Sequence, residues 1–177
     1  VYSNPLVSAY LFPRGVSFEA AKIFERWDPA RKIAVQYWPQ GEGGDLRMQN
    51  PYWIAYRNPR NTDKKRYMAN VSIAFDILPW LNVSGRAKVD NTNSIFTQKL
   101  YASSNTTITE GSTQGHYTEI RNTDEQIYAD VMVNINKTFA DNKFSLVANV
   151  GASINDTKSK ELSYRGPIRE VGIPNMF

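Results

Sequence analysis

Between Tyr67 and Asp90 apolar and polar residues alternate along two limbs, broken only at Leu78-Pro79-Trp80. On the first limb Tyr67, Ala69, Val71, Ile73, Phe75 and Ile77 are apolar, with Met68, Asn70, Ser72, Ala74 and Asp76 between them. On the second, Leu81, Val83, Gly85, Ala87 and Val89 alternate with Asn82, Ser84, Arg86, Lys88 and Asp90. A strand turns successive side chains to opposite faces, so each limb has one apolar and one polar face. Placing Ile77 opposite Leu81 gives the pairs 75/83, 73/85, 71/87 and 69/89, and every apolar residue meets an apolar one. A slip of one residue would undo the match, so the pattern fixes the register. Proline is tolerated in the turn because it lies outside the ladder.

A second hairpin repeats the device. Ile127, Ala129, Val131, Val133 and Ile135 form one apolar set, and Phe144, Leu146, Ala148, Val150, Ala152 and Ile154 form the next. With Phe139 opposite Phe144, the pairs 135/148, 133/150, 131/152 and 129/154 are apolar. Ala140-Asp141-Asn142-Lys143 is then the turn. Lys137 is the misfit on this face, close enough to the turn to snorkel. The chain therefore reads as all-β. Residues 65–156 carry two antiparallel hairpins joined by a long loop, 91–126. Residues 1–64 lack sustained alternation and are rich in Pro, Gly and aromatics, and 157–177 return to loop character.

Two architectures fit this pattern. In a soluble β-sandwich, such as a carbohydrate-binding module, the apolar faces point inward. In a transmembrane β-barrel they face lipid and the polar faces line a wet lumen. The runs have about the ten residues that a tilted strand needs to cross a bilayer. Phe75, Trp80, Phe139 and Phe144 cluster at the tight turns like an interfacial girdle, and short turns alternate with long connections, as in outer-membrane barrels.

Sequence motifs favour the barrel. "NPYW" at Asn50–Trp53, followed by "RNTDKKRYMANVSIAFDILPWLNVSGRAKVD" at Arg60–Asp90, resembles the barrel of SusC/RagA-type TonB-linked outer-membrane proteins of Bacteroidetes. "PLVSAYLFPRG" at Pro5–Gly15 resembles the preceding loop of that family, and "GIPNMF" at the end resembles the start of a later one. Ala69 departs from the family pattern, where Gly is common, and the turn after Asp76 is more apolar than usual. The resemblance implies an internal fragment of a barrel that imports glycans or peptides across the outer membrane of a Gram-negative cell. It further implies a TonB complex that supplies force and a SusD-type lipoprotein that caps the outer side. Residues 1–64 would be an extracellular loop.

Within that region "SFEAAKIFERWDP" suggests a short helix at about 18–27, with Ser17 as N-cap, Glu19 in the first turn and Pro29 beyond the end. Phe18, Ala21, Phe24 and Trp27 recur every third residue along it. Trp27, Trp38, Trp53 and Tyr56 are the candidate ligand contacts, because aromatic faces stack on sugar rings; the competing role for them is a small loop core.

Composition narrows the chemistry. Of 177 residues none is cysteine, so disulfides and thiolate metal sites are excluded, and one histidine, His116, makes a His-based zinc site implausible. His116 reads as a solvated loop side chain. The net charge of +4 is dispersed and gives no nucleic-acid footprint. "GEGGD" at Gly41–Asp45 is a flexible turn without the Lys-Ser/Thr of a phosphate loop. No nucleophile, metal ligand set or carboxylate pair has catalytic spacing, so neither an enzyme nor a cofactor is expected. Of the sequons at Asn70, Asn82, Asn105, Asn136 and Asn155, four lie in or at the end of strand patterns, where polar-face Asn, Ser and Thr are expected. An isolated segment of this kind is expected to hide its apolar face by self-association or under the aromatic region.

Overall fold

A computed structural model describes residues 4–38, 49–141, 143–169 and 173–177. Gly41–Asp45, Asn142 and Gly172 of the motifs above lie outside the described residues. The fold is mostly β. Two short helices, α1 (Pro5–Tyr10) and α2 (Pro51–Arg57), accompany a 3-10 turn at Phe18–Lys22. A small hairpin joins β1 (Glu25–Asp28) to β2 (Ile33–Gln36), and four long strands follow: β3 (Arg60–Leu78), β4 (Leu81–Tyr101), β5 (Gly115–Phe139) and β6 (Phe144–Pro167). The long strands form one antiparallel sheet in the order β3-β4-β5-β6. The sheet does not close: β3 and β6 are its edges.

Side-chain bonds across the sheet preserve the expected registers. Asn82 Nδ2 donates to Asp76 Oδ1 at 2.7 Å, a pair on one face when Ile77 stands opposite Leu81. The hydroxyl of Ser159 donates to Asp124 Oδ1 at 2.6 Å, which extends the 139/144 pairing far along the second hairpin. Asn134 Nδ2 donates to Asn82 Oδ1 at 3.1 Å, and the Asn136 amide donates to the Trp80 carbonyl at 2.9 Å, joining the two hairpins. The first turn has only Pro79 and Trp80 between strand ends, one residue fewer than expected. In the second, Ala140 (φ 51) and Asp141 (φ 53) both take left-handed backbone, and the Lys143 amide closes onto the Ala140 carbonyl at 3.2 Å.

The strands are longer than the alternation indicates: 19, 21, 25 and 24 residues. Most of the expected loop 91–126 is strand, and only 102–114 remains as a connection. Residues 157–167 are likewise strand and not loop. Apolar alternation marks where a face is greasy; pairing continues beyond it through Thr, Asn, Gln and Ser, which bond across strands instead. Thr123 Oγ1 donates to Asn93 Oδ1 at 2.9 Å in this polar stretch. Gly115 is needed where β5 starts: its φ is 116, and a Cβ there would stand 2.8 Å from the Leu100 carbonyl oxygen.

The expected helix at 18–27 is also corrected. Only Phe18–Lys22 is helical, as 3-10, and Trp27 lies on β1. The period of three shared by Phe18, Ala21 and Phe24 is that of a 3-10 turn, which seldom persists. Ser17 does cap it, accepting from the Glu19 amide at 3.3 Å. Pro29 sits in the β1–β2 turn, where Asp28 Oδ1 accepts from the Ala30 amide at 2.9 Å. The two α-helices, absent from the expectation, each begin with Asn-Pro. Asn4 and Asn50 are N-caps and the prolines fill the first turn, where no amide bond is lost.

The chain divides into two compact units. Unit 1 comprises residues 1–62, 95–120 and 163–177; unit 2 comprises 63–94 and 121–162. Unit 1 thus draws on three stretches of chain, and its core is formed by Ala21, Trp38, Trp53, Ile54, Leu100 and Ala102. Asn50, fully buried, organises it. Its side chain caps α2 through the Tyr52 amide and donates to the carbonyls of Ala21 (2.9 Å) and Tyr37 (3.1 Å). Its amide donates to Gln36 Oε1 at 2.9 Å. Replacing Asn50 with Ala removes a cap and leaves two buried carbonyls unpaired. We expect a loss of about 2–4 kcal/mol, from about 1 for the cap and 1–3 for the orphaned groups. Urea unfolding followed by tryptophan fluorescence reads it, and Asn50→Asp, which keeps a capping oxygen but sets the other carboxylate oxygen against the Ala21 and Tyr37 carbonyls, should also be destabilised.

Candidate functional site

The four aromatic candidates occupy different environments. Trp53 has no exposed surface. Its Nε1 donates to the Ser104 hydroxyl at 3.1 Å, and that hydroxyl donates to Asn58 Oδ1 at 2.8 Å. No face of this ring is open to a ligand. Trp38 is nearly buried and lies 5.5 Å from Phe12. Trp27 and Tyr56 are 66% and 65% exposed. Tyr56 ends a stacked group, 5.6 Å from Phe24 and 6.4 Å from Tyr52, the latter pair within 7° of parallel. Among the described ring pairs Trp27 has none.

Arg57, on the same helix as Tyr56, is fixed by a two-pronged pair with Glu25 at 2.7 and 2.8 Å. That contact raises the guanidinium further above its ordinary range and keeps it charged. The helix is thereby tied to β1, and the stacked tyrosines on its surface are held in fixed orientation.

In unit 2 the sheet presents two contrasting faces. On one, Val71, Ile73, Val131 and Val150 are 51–67% exposed, and Ile77, Leu146 and Ile154 are similarly open. Among the described residues these apolar side chains are left without cover. On the other, Arg66 forks onto Asp90 at 2.9 and 2.6 Å, and Arg86 Nε approaches both Asp130 oxygens at 3.1 and 2.9 Å. Asp90 and Asp130 are buried among their neighbours while the arginine heads stay open. These pairs cross strand boundaries, and the Asp76-Asn82-Asn134 chain continues the polar ladder.

At the tight-turn end Phe75, Phe139 and Phe144 are exposed and Trp80 is half-buried. Lys137, the misfit of the alternation, lies with its ammonium 4.3 Å from the Trp80 ring centre and 5.3 Å from that of Phe139. A cation over two aromatic faces resolves the misfit without burying a charge.

Sequence reasoning missed the ion pairs of the polar face. Arg86 and Asp90 were visible as polar-face residues; Arg66 reaches Asp90 diagonally within the first hairpin, and the Arg86–Asp130 pair depends on a register between hairpins that alternation does not specify. It also misplaced His116, which is 4% exposed and lies at the start of β5. No family model matches the chain, and no curated protein matches it.

The environments predict opposite responses to truncation. Trp53→Ala should cost about 3–5 kcal/mol as a large buried ring leaves a cavity. Trp27→Ala and Tyr56→Ala should each stay within about 0.5 kcal/mol, as surface changes do. Comparing the three urea midpoints checks this; a large loss at Trp27 would show a packing role.

Proposed function

We propose that the chain is part of the β-barrel of an outer-membrane nutrient importer of the SusC/RagA type, in a Gram-negative, Bacteroidetes-like cell. The reading is carried by the bare apolar face of unit 2. A β-sandwich would cover that face with a second sheet, whereas a barrel leaves it to lipid. Ten residues at about 3.3 Å each, tilted by about 40°, span roughly 25 Å, the height of a lipid-facing apolar band. The apolar runs have this length, and Lys137 with Trp80 and Phe139 has the chemistry of an interfacial anchor at their end.

The charged ladder on the opposite face suits a water-filled lumen. The open edges at β3 and β6 are where further strands of the same barrel pair. Unit 1 supplies folded structure at the ends of the strands, and its exposed Trp27 and Tyr56 are candidate contacts for a glycan or peptide ligand. The partners of the complete importer are a SusD-type lipoprotein lid and the TonB complex. Outside the barrel, the unpaired edges and bare face make this segment self-associate.

These 177 residues hold no cysteine, so single cysteines placed in them allow a test in the full-length importer in outer membranes, with any cysteine elsewhere in it replaced. Val71→Cys, Val131→Cys and Val150→Cys should resist a water-soluble maleimide and react with a lipophilic one. Ser72→Cys and Ser84→Cys should react with the water-soluble reagent. Heat-modifiable migration checks that each variant folds. Equal labelling of both faces by the water-soluble reagent would sink the reading.

A further inference from the structure

Unit 1 contains a cavity of about 510 Å³ where the polar ends of the strands meet the connection 102–114. Its volume falls within the range of small-molecule sites. Its wall combines apolar side chains, Phe96 and Ile120 among them, with Arg60, Gln98, Glu110, His116 and Arg165. Two observations mark it as more than a surface dent.

The first is His116. Its side chain is 5% exposed, yet neither Nδ1 nor Nε2 has a hydrogen-bond partner. Nε2 stands 3.5 Å from Glu110 Oε1, and that oxygen is already held by Arg165 through Nε at 3.1 Å and Nη2 at 3.0 Å. A buried polar ring without partners weakens folding unless something else uses it.

The second is Arg60. Gln98 turns its amide oxygen to accept from Arg60 Nε and Nη2, both at 3.1 Å, which fixes the plane of the guanidinium. Among the described residues no carboxylate pairs with Arg60. The cavity therefore holds one neutralised cation, Arg165, and one cation that is oriented and uncompensated.

We propose that this cavity binds a small ligand through a carboxylate, with Arg60 as its charge partner and His116 as a second polar contact. A planar carboxylate matches the fork of a fixed guanidinium. A single negative charge balances the single unpaired cation, while Glu110 disfavours a dianion such as a phosphate monoester. The apolar wall accepts the body of the ligand. This inference concerns unit 1 alone and does not depend on the membrane reading of unit 2. A carboxylate of this size comes from an acidic sugar or from the end of a short peptide, and the two sources are separable.

The test uses His116 as its own reporter, since it is the only histidine in the chain. The full chain, held in detergent, is titrated with glucuronate and with N-acetylglycine at constant ionic strength, and the imidazole carbon-bound proton signals are followed by NMR. Glucose and N-acetylglycinamide are the neutral counterparts. We expect a saturable shift from at least one acid and none from its neutral partner, and the acid that saturates at lower concentration identifies the source. Arg60→Gln should weaken that binding at least tenfold. Absence of saturation with both acids, an equal shift from a neutral partner, or undiminished binding by folded Arg60→Gln each overturns the proposal. Should Arg60→Gln fail to fold, the acid-against-neutral comparison on the unaltered chain decides alone.

Discussion

Four long strands are held side by side by their backbone hydrogen bonds, and this ladder forces every side chain onto one of two faces. That constraint organises the rest of the molecule. Because β3 to β6 alternate in phase with one another, the greasy side chains of all four gather on one surface and the charged ones on the other. A single-phase error in one strand would mix the faces and strand a charge among valines. The matched register is therefore not decoration but the means by which a sheet without a core of its own remains specified. Sheets in water normally bury such a surface; this one leaves it bare, and the proposed bilayer is the medium that makes the arrangement stable.

The two units solve stability differently. Unit 1 is closed by small polar groups as much as by apolar ones. Asn50 alone ties α2 to the 3-10 turn and to the end of β2, while the Trp53-Ser104-Asn58 chain secures the same helix to the connection after β4. The connection itself is folded in the same way: Thr109 donates to the Ser112 carbonyl at 2.6 Å, and the Ser112 hydroxyl donates to the Ile168 carbonyl at 2.7 Å. Unit 2 has no comparable interior. Its order comes from the ladder, from Arg66-Asp90 and Arg86-Asp130 on the wet side, and from whatever meets the other face.

This difference explains which features the sequence disclosed. Val71, Ile73, Val131 and Val150 announce their strands because a period of two in hydropathy has few other causes. Pro79 and the Asp141 region mark turns for equally local reasons. The continuation of β4 through Asn91-Thr92-Asn93 has no hydropathy signal, since both faces there are polar. Its strand state is set by neighbours that are distant in sequence. Trp53 and Trp27 illustrate the same limit at a candidate site. Both are tryptophans in an aromatic-rich stretch, and only the three-part assembly of unit 1 decides that one is core and the other surface. His116 was misread because a Ser/Thr/Gly-rich stretch looks like a solvated loop. Its burial follows from Gly115 allowing β5 to start hard against the Leu100 carbonyl.

The position of the polar strand extensions gives the last step. The apolar runs lie next to the two tight turns, and the polar extensions all lie at the opposite ends of the same strands. A sheet made only to cross hydrocarbon would stop where its apolar run stops, because each further residue fixes backbone for a modest return. Here the strands continue for roughly as many residues again, and the added length carries Arg60, Gln98, His116 and Arg165 into one cavity wall together with Glu110 from the connection beside them. The extra pairing is thus invested in rigid placement of polar side chains. Under the proposed reading, those side chains stand clear of the lipid, on the side where ligand arrives, and a pocket built on strands holds its geometry more tightly than one built on a loop.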